Sequence, residues 1–239
     1  MATYYSPKIV TNGLVLCLDA GNIKSYPSSG TTWSDLSGND NAGTLTNGPT
    51  FSSANGGSIV FDGTNDYVDT SVKLFNTSQF SVGFWVNVSS YTGTYIGGAV
   101  GNSLYTLFGP TAGPYQGQTN TFSAGIQFSA GSSSIGTIQQ SGFSTNTWYY
   151  YFCVYDGTQA GDSGRLKLWL NSVQYSLSFD ATVPSTPYNN NTVTKIGYGS
   201  NANYPYFNGR IANLTYYNRV LSASEILQNY NANKGRFDL

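Results

Sequence analysis

The chain has 239 residues, of which 10 are Lys or Arg, 11 are Asp or Glu and none is His, so its net charge is −1. Charged residues make up 9 % of the chain and aromatic residues 15 %, whereas an average soluble domain has about 25 % charged residues. An aromatic-rich chain of low net charge is not disordered, and without a basic surplus it lacks the phosphate contacts that nucleic-acid binding requires. No window approaches the roughly 18 apolar residues of a membrane helix, so we expect no membrane insertion.

Residues 1–12 are the predicted N-terminal arm, and residues 13–239 are predicted to form one domain. The opening MATYYSPKIVTNG lacks the charged start and the unbroken apolar core of a signal peptide, so we expect synthesis in the cytoplasm without secretion. Cys17 and Cys153 each lie within an apolar run. This setting favours two buried free thiols, with a disulfide between them as the less favoured alternative.

Short segments of alternating hydrophobicity recur along the chain, separated by Gly, Asn, Ser and Pro. Between Phe80 and Val88 every second residue is apolar, with Trp85 as the exception, and Leu166 to Leu170 repeat the pattern. Further strands are predicted at Leu14 to Asp19, Ser58 to Asp62, Thr121 to Phe128, Thr147 to Asp156, Val173 to Phe179, Thr192 to Gly197 and Gly209 to Tyr217. This pattern predicts an all-β fold in which two antiparallel sheets pack into a sandwich.

One short helix is predicted near the C-terminus. Ser222 and Glu225 have the spacing of a capping box, Ile226 and Tyr230 supply part of an apolar face, and Gly235 offers a stop. Between Tyr91 and Gly142 the chain is rich in Gly, Ser and Thr, and its loops are expected to form the most variable surface.

Five segments resemble, in order, the laminin G-like, pentraxin-like members of the concanavalin A-like jelly-roll family. They are FDGTNDYV (Phe61 to Val68), FSVGFWVNV (Phe80 to Val88), WYYYFCVYDG (Trp148 to Gly157), GRLKLWLN (Gly164 to Asn171) and FNGRIANLTYYNRVLSASEI (Phe207 to Ile226). The resemblance implies a two-sheet antiparallel jelly roll whose last strand is followed by the helix. It implies no activity, because this fold serves lectins, glucanases and structural parts alike.

The opening LVLCLDAGNIKSYPSSGTTWSDLSGND and the ending YNANKGRFDL further resemble stand-alone laminin G-like structural proteins of tailed phages. This resemblance implies a virion location after synthesis in the host cytoplasm, with other virion proteins and host cell-surface glycans as partners. The sequence departs from the family where the last strand commonly carries Asp, since Arg210 to Asn213 supply no carboxylate. The departure weakens the case for a calcium ion that depends on that Asp.

Catalysis is disfavoured by the carboxylate content. Glycosidases of this fold hydrolyse with two carboxylates, and the one Glu of the chain, Glu225, is assigned to the helix cap. Asp62 with Asp66, and Asp156 with Asp162, remain as possible Asp pairs, but each residue lies in a turn context. The absence of His removes Ser-His-Asp and Cys-His nucleophile systems. We therefore expect no enzyme activity.

Calcium is the one ion for which the sequence offers ligands. Asp62, Asp66 and Asp69 lie close together and supply carboxylate oxygens, which calcium prefers. The favoured interpretation is that Asp62-Gly63 and Asn65-Asp66 form the turn between two strands. No cofactor is expected to be required.

Glycan binding would use aromatic rings flanked by hydroxyl and amide groups, because sugars stack their C–H faces on rings while their hydroxyls form hydrogen bonds. Tyrosines in polar loops that meet this description are Tyr91, Tyr95, Tyr115, Tyr188, Tyr204 and Tyr206. The equally weighted alternative is that these rings pack at loop bases or against another virion subunit.

These observations and resemblances predict a non-enzymatic virion structural protein of a phage. It would be a capsid decoration or a tail or fibre component, and could serve as an adhesin for host surface glycans. The alternative is a free carbohydrate-binding lectin, and a third hypothesis is a glycoside hydrolase with an Asp pair.

Overall fold

The structure is a computed structural model that describes residues 8–70, 72–74, 77–90, 94–96, 104–109, 121–129, 132–188, 193–198 and 206–239. The strands are β1 (Leu14–Asp19), β2 (Thr32–Trp33), β3 (Gly43–Thr46), β4 (Thr50–Ser52), β5 (Ser58–Asp62), β6 (Tyr67–Asp69), β7 (Gln79–Val88), β8 (Thr94–Ile96), β9 (Leu104–Gly109), β10 (Thr121–Ser129), β11 (Ser132–Ile138), β12 (Trp148–Asp156), β13 (Leu166–Leu170), β14 (Val173–Tyr175), β15 (Leu177–Phe179), β16 (Lys195–Ile196) and β17 (Asn208–Tyr217). The α-helices are the single turn α1 (Asp162–Arg165) and the C-terminal helix α2 (Ala223–Asn233).

The strands form one large and two smaller sheets, with antiparallel pairing between neighbours. The large sheet has the order β14-β13-β12-β7-β17-β5-β4, and β1 also pairs with β17. The second sheet has the order β15-β11-β10-β9-β8, and the small sheet has the order β16-β6-β3-β2. This arrangement confirms the predicted all-β jelly-roll sandwich.

The main core lies between the large sheet and the two smaller ones. Phe84 of β7, Phe122 of β10 and Val68 of β6 are each fully buried in it, so all three sheets contribute side chains. Alternation along β7 places Phe80, Val82, Phe84, Val86 and Val88 in this core, as the sequence predicts.

A second core lies on the opposite face of the large sheet, beneath α2. Trp85 belongs to it together with Phe152, Ile226 and Phe237, which explains why Trp85 interrupts the polar face of β7. Gly83 is required beside this core, because a Cβ at that position would lie 2.2 Å from Cδ2 of Phe152. Both faces of the central strands are therefore buried.

Helix α2 begins as predicted with a capping box. The Ser222 hydroxyl accepts from the Glu225 N–H, and the Glu225 carboxylate accepts from the Ser222 N–H at 2.9 Å. The Arg219 guanidinium contacts both carboxylate oxygens of Glu225, at 3.1 and 2.5 Å. The helix is thereby fixed to the end of β17.

Residues 8–10 pack against this helix. The Val10 N–H donates to Asn229 Oδ1 at 2.8 Å, and the Val10 carbonyl accepts from the Tyr217 hydroxyl at 3.0 Å. Gln228 Nε2 donates to the Lys8 carbonyl at 2.7 Å. This part of the predicted N-terminal arm therefore lies on the domain.

The prediction of one strand from Val173 to Phe179 is wrong. The chain leaves the large sheet after β14 and enters the second sheet as β15, with Ser176 between them. The turn before β14 uses Asn171 and Ser172, which have positive φ values of 50° and 67°, as a tight hairpin of this hand requires.

Cys17 and Cys153 are free, buried thiols, as predicted. Within the described ranges, no helix has the length and apolar character needed to cross a membrane.

Candidate functional site

The outer face of the small sheet presents an unusual set of side chains. Val68 of β6 and Ile196 of β16 point into the main core and are at most 1 % exposed. Because side chains alternate along a strand, their neighbours Tyr67, Asp69 and Lys195 lie on the opposite, outer face, where they are half-buried. Lys195 is paired directly with Asp69 across the two strands.

Two further tyrosines join this face through the backbone around Gly197. Gly197 has a φ of 79°, and a Cβ there would lie 2.8 Å from the Phe61 ring, so the position favours glycine. Its carbonyl accepts from the Phe207 N–H at 3.0 Å, which brings the two flanking tyrosines, Tyr198 and Tyr206, together. Tyr67, Tyr198 and Tyr206 are hereafter the tyrosine cluster.

The rings of the tyrosine cluster meet edge to face. The centroids of Tyr67 and Tyr198 are 5.3 Å apart with an interplanar angle of 86°, and those of Tyr198 and Tyr206 are 5.4 Å apart at 70°. The Lys195 ammonium lies over the rings of Tyr67 and Tyr198, at 4.6 and 4.7 Å from their centroids. It is also 4.0 Å from Oδ2 of Asp69, so rings and charges form one continuous surface.

The pKa of Tyr206 is raised above its ordinary value by burial, by the neighbouring Tyr198 and Tyr67, and by a hydrogen bond with Tyr198. The phenol is therefore protonated at physiological pH, with its hydroxyl hydrogen-bonded to Tyr198.

Hydroxyl groups continue the same face on β3. Thr46 is paired with Tyr67 and Thr44 with Asp69, and such cross-strand pairs place their side chains on the same side of a sheet. Thr44 is exposed and Thr46 half-buried. The surface thus combines aromatic rings, an acid, an ammonium group and hydroxyls.

The predicted tyrosines are distributed unevenly. Tyr206 is part of the cluster, whereas Tyr188 lies beside β10, where its N–H donates to the Gln127 carbonyl at 2.8 Å. Tyr95 lies in β8, whose backbone alone is described. Tyr91, Tyr115 and Tyr204 lie outside the described residues.

Sequence reasoning missed Tyr67, Tyr198 and Lys195. Tyr67 and Lys195 could have been found from the alternation of apolar and polar residues around Val68 and Ile196. This alternation predicts that their side chains point outward. The pairing of β6 with β16 joins distant parts of the chain, and no local pattern indicates it.

The Asp residues proposed as calcium ligands have structural partners. Asp62 Oδ1 accepts from the Thr64 N–H at 2.7 Å, and Asp66 Oδ2 accepts from the Asp62 N–H at 3.0 Å, as expected for a turn. Burial raises the pKa of Asp66, and the charge of Asp62 raises it further against the effect of that backbone hydrogen bond. Asp69 faces Lys195 instead. In the part of the chain that the structure describes, no three acidic, His or Cys side chains are grouped to hold a metal ion.

The second Asp pair is also held by hydrogen bonds. The Asp156 carboxylate accepts from Gln79 Nε2 at 3.0 Å, from Thr158 Oγ1 at 2.6 Å and from Gln159 Nε2 at 3.0 Å. Burial alone would raise the pKa of Asp156, but these hydrogen bonds lower it overall. Asp162 Oδ1 accepts from the Val183 N–H at 2.7 Å. Both carboxylates thus stabilise loops.

A polar groove of about 440 Å³ lies where β14 and β15 separate, and it is a weaker candidate. It is lined by Gln139, Ser163, Leu166, Lys167, Gln174, Tyr175, Ser176 and Leu177. Its one aromatic ring, Tyr175, packs edge to face against Phe143 at 5.9 Å. The groove therefore offers less stacking surface than the three rings of the tyrosine cluster.

The chain matches a known protein family over most of its length. The model of the family Laminin_G_3, described as the concanavalin A-like lectin/glucanases superfamily, matches residues 62–227. No curated protein matches the chain at a significant level.

Several solved structures share the fold at low sequence identity. Domain 4 of AbnA, an extracellular arabinanase from Geobacillus stearothermophilus, in complex with arabinotriose, is 18 % identical with a TM-score of 0.63, over 91 % of this chain and 98 % of that domain. The binding domain of Paraclostridial Mosquitocidal Protein 1 is 15 % identical with a TM-score of 0.66, over 93 % of this chain and 52 % of the other. The botulinum neurotoxin serotype D ligand binding domain in complex with N-acetylneuraminic acid is 13 % identical with a TM-score of 0.62, over 92 % and 51 %. The chain spans about half the length of these two toxin domains, and at such identities the likeness shows the fold.

Proposed function

The chain belongs to the concanavalin A-like lectin/glucanases superfamily, and we propose that it is a non-enzymatic carbohydrate-binding protein whose ligand contacts the tyrosine cluster. The observation that carries this proposal is the arrangement of three half-buried tyrosine rings around Lys195 and Asp69 on the outer face of the small sheet.

This surface fits the chemistry of a sugar. Aromatic rings bind the C–H faces of a pyranose or furanose, while its hydroxyls need donors and acceptors nearby. The ammonium of Lys195 and the hydroxyls of Thr44 and Tyr206 are donors, and the carboxylate of Asp69 is an acceptor.

The similar structures support the same class of ligand. Domain 4 of AbnA was solved with arabinotriose, and the neurotoxin domain with N-acetylneuraminic acid. These ligands belong to those proteins, and they indicate that the fold accommodates saccharides of different kinds.

The hydrogen bonds of the carboxylates support a binding role without catalysis. Glycosidases hold two carboxylates about 5 to 9.5 Å apart at the reacting bond. Here Glu225 is paired with Arg219 at the helix cap. Asp62 and Asp156 accept hydrogen bonds from their own loops, and Asp162 accepts one from the Val183 N–H. No hydrolysis is expected on a panel of bacterial and algal polysaccharides. Turnover that disappears in Asp62→Asn or Asp156→Asn would contradict the proposal.

A glycan array probed with the purified chain, followed by calorimetry on the best ligand, tests the binding role. Tyr206→Ala is expected to weaken binding about fivefold or more, because stacking of a nucleic-acid base on one ring contributes about 1 to 3 kcal/mol and a sugar face on the same ring is expected to contribute at least the lower value. Tyr175→Ala is the matched control, since it removes a half-buried ring from the groove between β14 and β15. If Tyr175→Ala weakens binding and Tyr206→Ala does not, the ligand lies in the groove. Failure to bind any glycan contradicts the function.

The biological setting that we propose is a phage virion, in which the chain is a capsid decoration or a tail or fibre component that binds host surface glycans. Two segments support this setting, the one that begins at Leu14 and the one that ends at Leu239. Both resemble structural proteins of tailed phages. Mass spectrometry of purified particles, with and without tails, tests this setting. Detection in both preparations assigns the chain to the capsid, detection only in particles with tails assigns it to the tail or fibre, and absence from both favours the alternative of a free lectin.

A further inference from the structure

We propose that the tyrosine cluster selects an uncharged sugar, which stacks on the Tyr206 ring while Asp69 and Lys195 bind its neighbouring hydroxyls. This inference rests on the proposed glycan-binding function and specifies its ligand. It distinguishes neutral saccharides from acidic ones such as sialic or uronic acids.

The first step concerns the positive charge of the site. Lys195 lies 4.0 Å from the Asp69 carboxylate and over the faces of two tyrosine rings. Both contacts offset an ammonium charge, the second by attraction to the ring quadrupole. A carboxylate on the ligand would have to compete with Asp69 for Lys195, so the site offers no surplus cation for an acidic sugar.

The second step concerns the charges around the cluster. Asp62 ends β5, Asp66 lies in the turn just before Tyr67, and Asp69 ends β6. Asp66 is 4 % exposed, and its pKa is raised by burial and by the charge of Asp62, so the negative charges of this turn act on one another. When Lys73, in the segment hydrogen-bonded to Thr194, is counted with Lys195, three acidic residues face two lysines, so the site carries no excess of positive charge that would attract an anion.

The third step identifies the stacking ring. The Lys195 ammonium lies over Tyr67 and Tyr198, whereas the ring contact described for Tyr206 is its edge-to-face contact with Tyr198. An edge-to-face contact uses at most one face of a ring. Tyr206 therefore retains a ring face that neither the lysine nor Tyr198 occupies.

The fourth step concerns the hydroxyls of the sugar. A separation of 4.0 Å between Lys195 Nζ and Asp69 Oδ2 is longer than a hydrogen bond. A hydroxyl can accept from the ammonium and donate to the carboxylate at the same time, so the pair fits a sugar with adjacent hydroxyls. The paired Thr44 hydroxyl extends this polar border.

The direction in which Asp69→Asn changes glycan affinity tests the inference. The probe is a glycan array with matched neutral and sialylated or uronic members, followed by calorimetry in the presence of EDTA on the best binder of each class. We expect the neutral member to bind more tightly, and Asp69→Asn to weaken its binding about tenfold, because a charged acceptor is replaced by a neutral one. Asp40→Asn makes the same change of net charge at an exposed residue and is expected to have no effect.

The alternative outcomes separate the two proposals. If an acidic glycan binds more tightly, or if Asp69→Asn strengthens binding or leaves it unchanged, the inference is wrong. If Tyr206→Ala still abolishes binding in that case, the glycan-binding function stands. If no glycan binds, or if binding is insensitive to Tyr206→Ala, Tyr67→Ala and Tyr198→Ala alike, the proposed function and the inference are both wrong. Circular dichroism of each variant verifies that it is folded.

Discussion

The Phe237 ring stacks on the Trp85 indole, with ring centroids 4.1 Å apart and planes inclined by 20°. Phe237 also contacts Trp148 at 4.7 Å, so a residue of the segment after helix α2 is packed over the central strand of the large sheet. This segment therefore closes the second core.

Removal of this ring is expected to destabilise the domain. Phe237→Ala should lower the free energy of unfolding by about 3 kcal/mol, because it leaves a cavity beside Trp85. Leu239 is 47 % exposed, and Leu239→Ala is the matched control with an expected change below about 0.5 kcal/mol. Urea denaturation followed by tryptophan fluorescence measures both. Equal midpoints for the two variants would show that Phe237 does not contribute to the core.

The helix cap predicts a defined pH dependence. A hydrogen bond from Arg219, assisted by those at Ser222, lowers the pKa of Glu225 from 4.5 to about 2. Because the folded-state pKa lies below the unfolded value, the stabilisation is complete above about pH 4.5 and is lost as the pH falls towards about 2.

Glu225→Gln should therefore reduce the free energy of unfolding by about 1 kcal/mol at pH 7, a modest value because the ion pair is partly exposed. The difference between Glu225→Gln and the unmodified chain should shrink between pH 4.5 and 2. Thermal melts at a series of pH values measure this convergence. A difference that is constant across that range would exclude the ion pair as its source.

The thiols are expected to be inert in the folded state. Burial, reinforced by the charges of Asp19 and Asp35, raises the pKa of Cys17 to about 12, and burial raises the pKa of Cys153 well above its usual value. Since the thiolate is the reactive form, an aromatic disulfide reagent should label neither residue at pH 8. Labelling of both in guanidinium chloride is the control. Rapid labelling of the native chain would indicate that one of these strands opens readily.

The Asp156 carboxylate is expected to stabilise the loop after β12. Asp156→Asn should lower the free energy of unfolding by about 2 kcal/mol, because the amide cannot accept every hydrogen bond that the carboxylate accepts. The pKa of Asp156 is lowered despite its burial, so this contribution is present above the usual Asp range and is lost as the pH falls below it. Exposed Asp40→Asn serves as the control in the same denaturation series. If Asp156→Asn lowers the free energy of unfolding no more than Asp40→Asn does, Asp156 does not stabilise the loop.

Calcium is not expected to be required for folding. Asp62 and Asp66 each use a carboxylate oxygen for a backbone N–H, which supports the turn without an ion. The melting temperature should therefore be the same in EDTA as in millimolar calcium. A rise with calcium that Asp62→Asn abolishes would reveal a bound ion, since a ligand of the native state alone must stabilise it.

Local sequence patterns identified much of the fold. The alternation from Phe80 to Val88 and the capping pair Ser222 and Glu225 depend on neighbouring residues, so both could be predicted and both are confirmed. The change of sheet at Ser176 could not be predicted in this way. An extended segment has the same sequence pattern whether it stays in one sheet or crosses to another.

The tyrosine cluster shows the same limit. Tyr206 was identified by its residue type and polar surroundings, whereas its partners depend on the pairing of β6 with β16 and on the turn at Gly197. The role of Trp85 was also hidden, because only the packing of α2 makes the second face of β7 a buried one.

The contacts of residues 8–10 with helix α2 place this segment on the outer face of the large sheet. The tyrosine cluster lies on the outer face of the small sheet, on the other side of the main core. A partner that binds the face carrying residues 8–10 and helix α2 would leave the rings of the tyrosine cluster open to the surroundings.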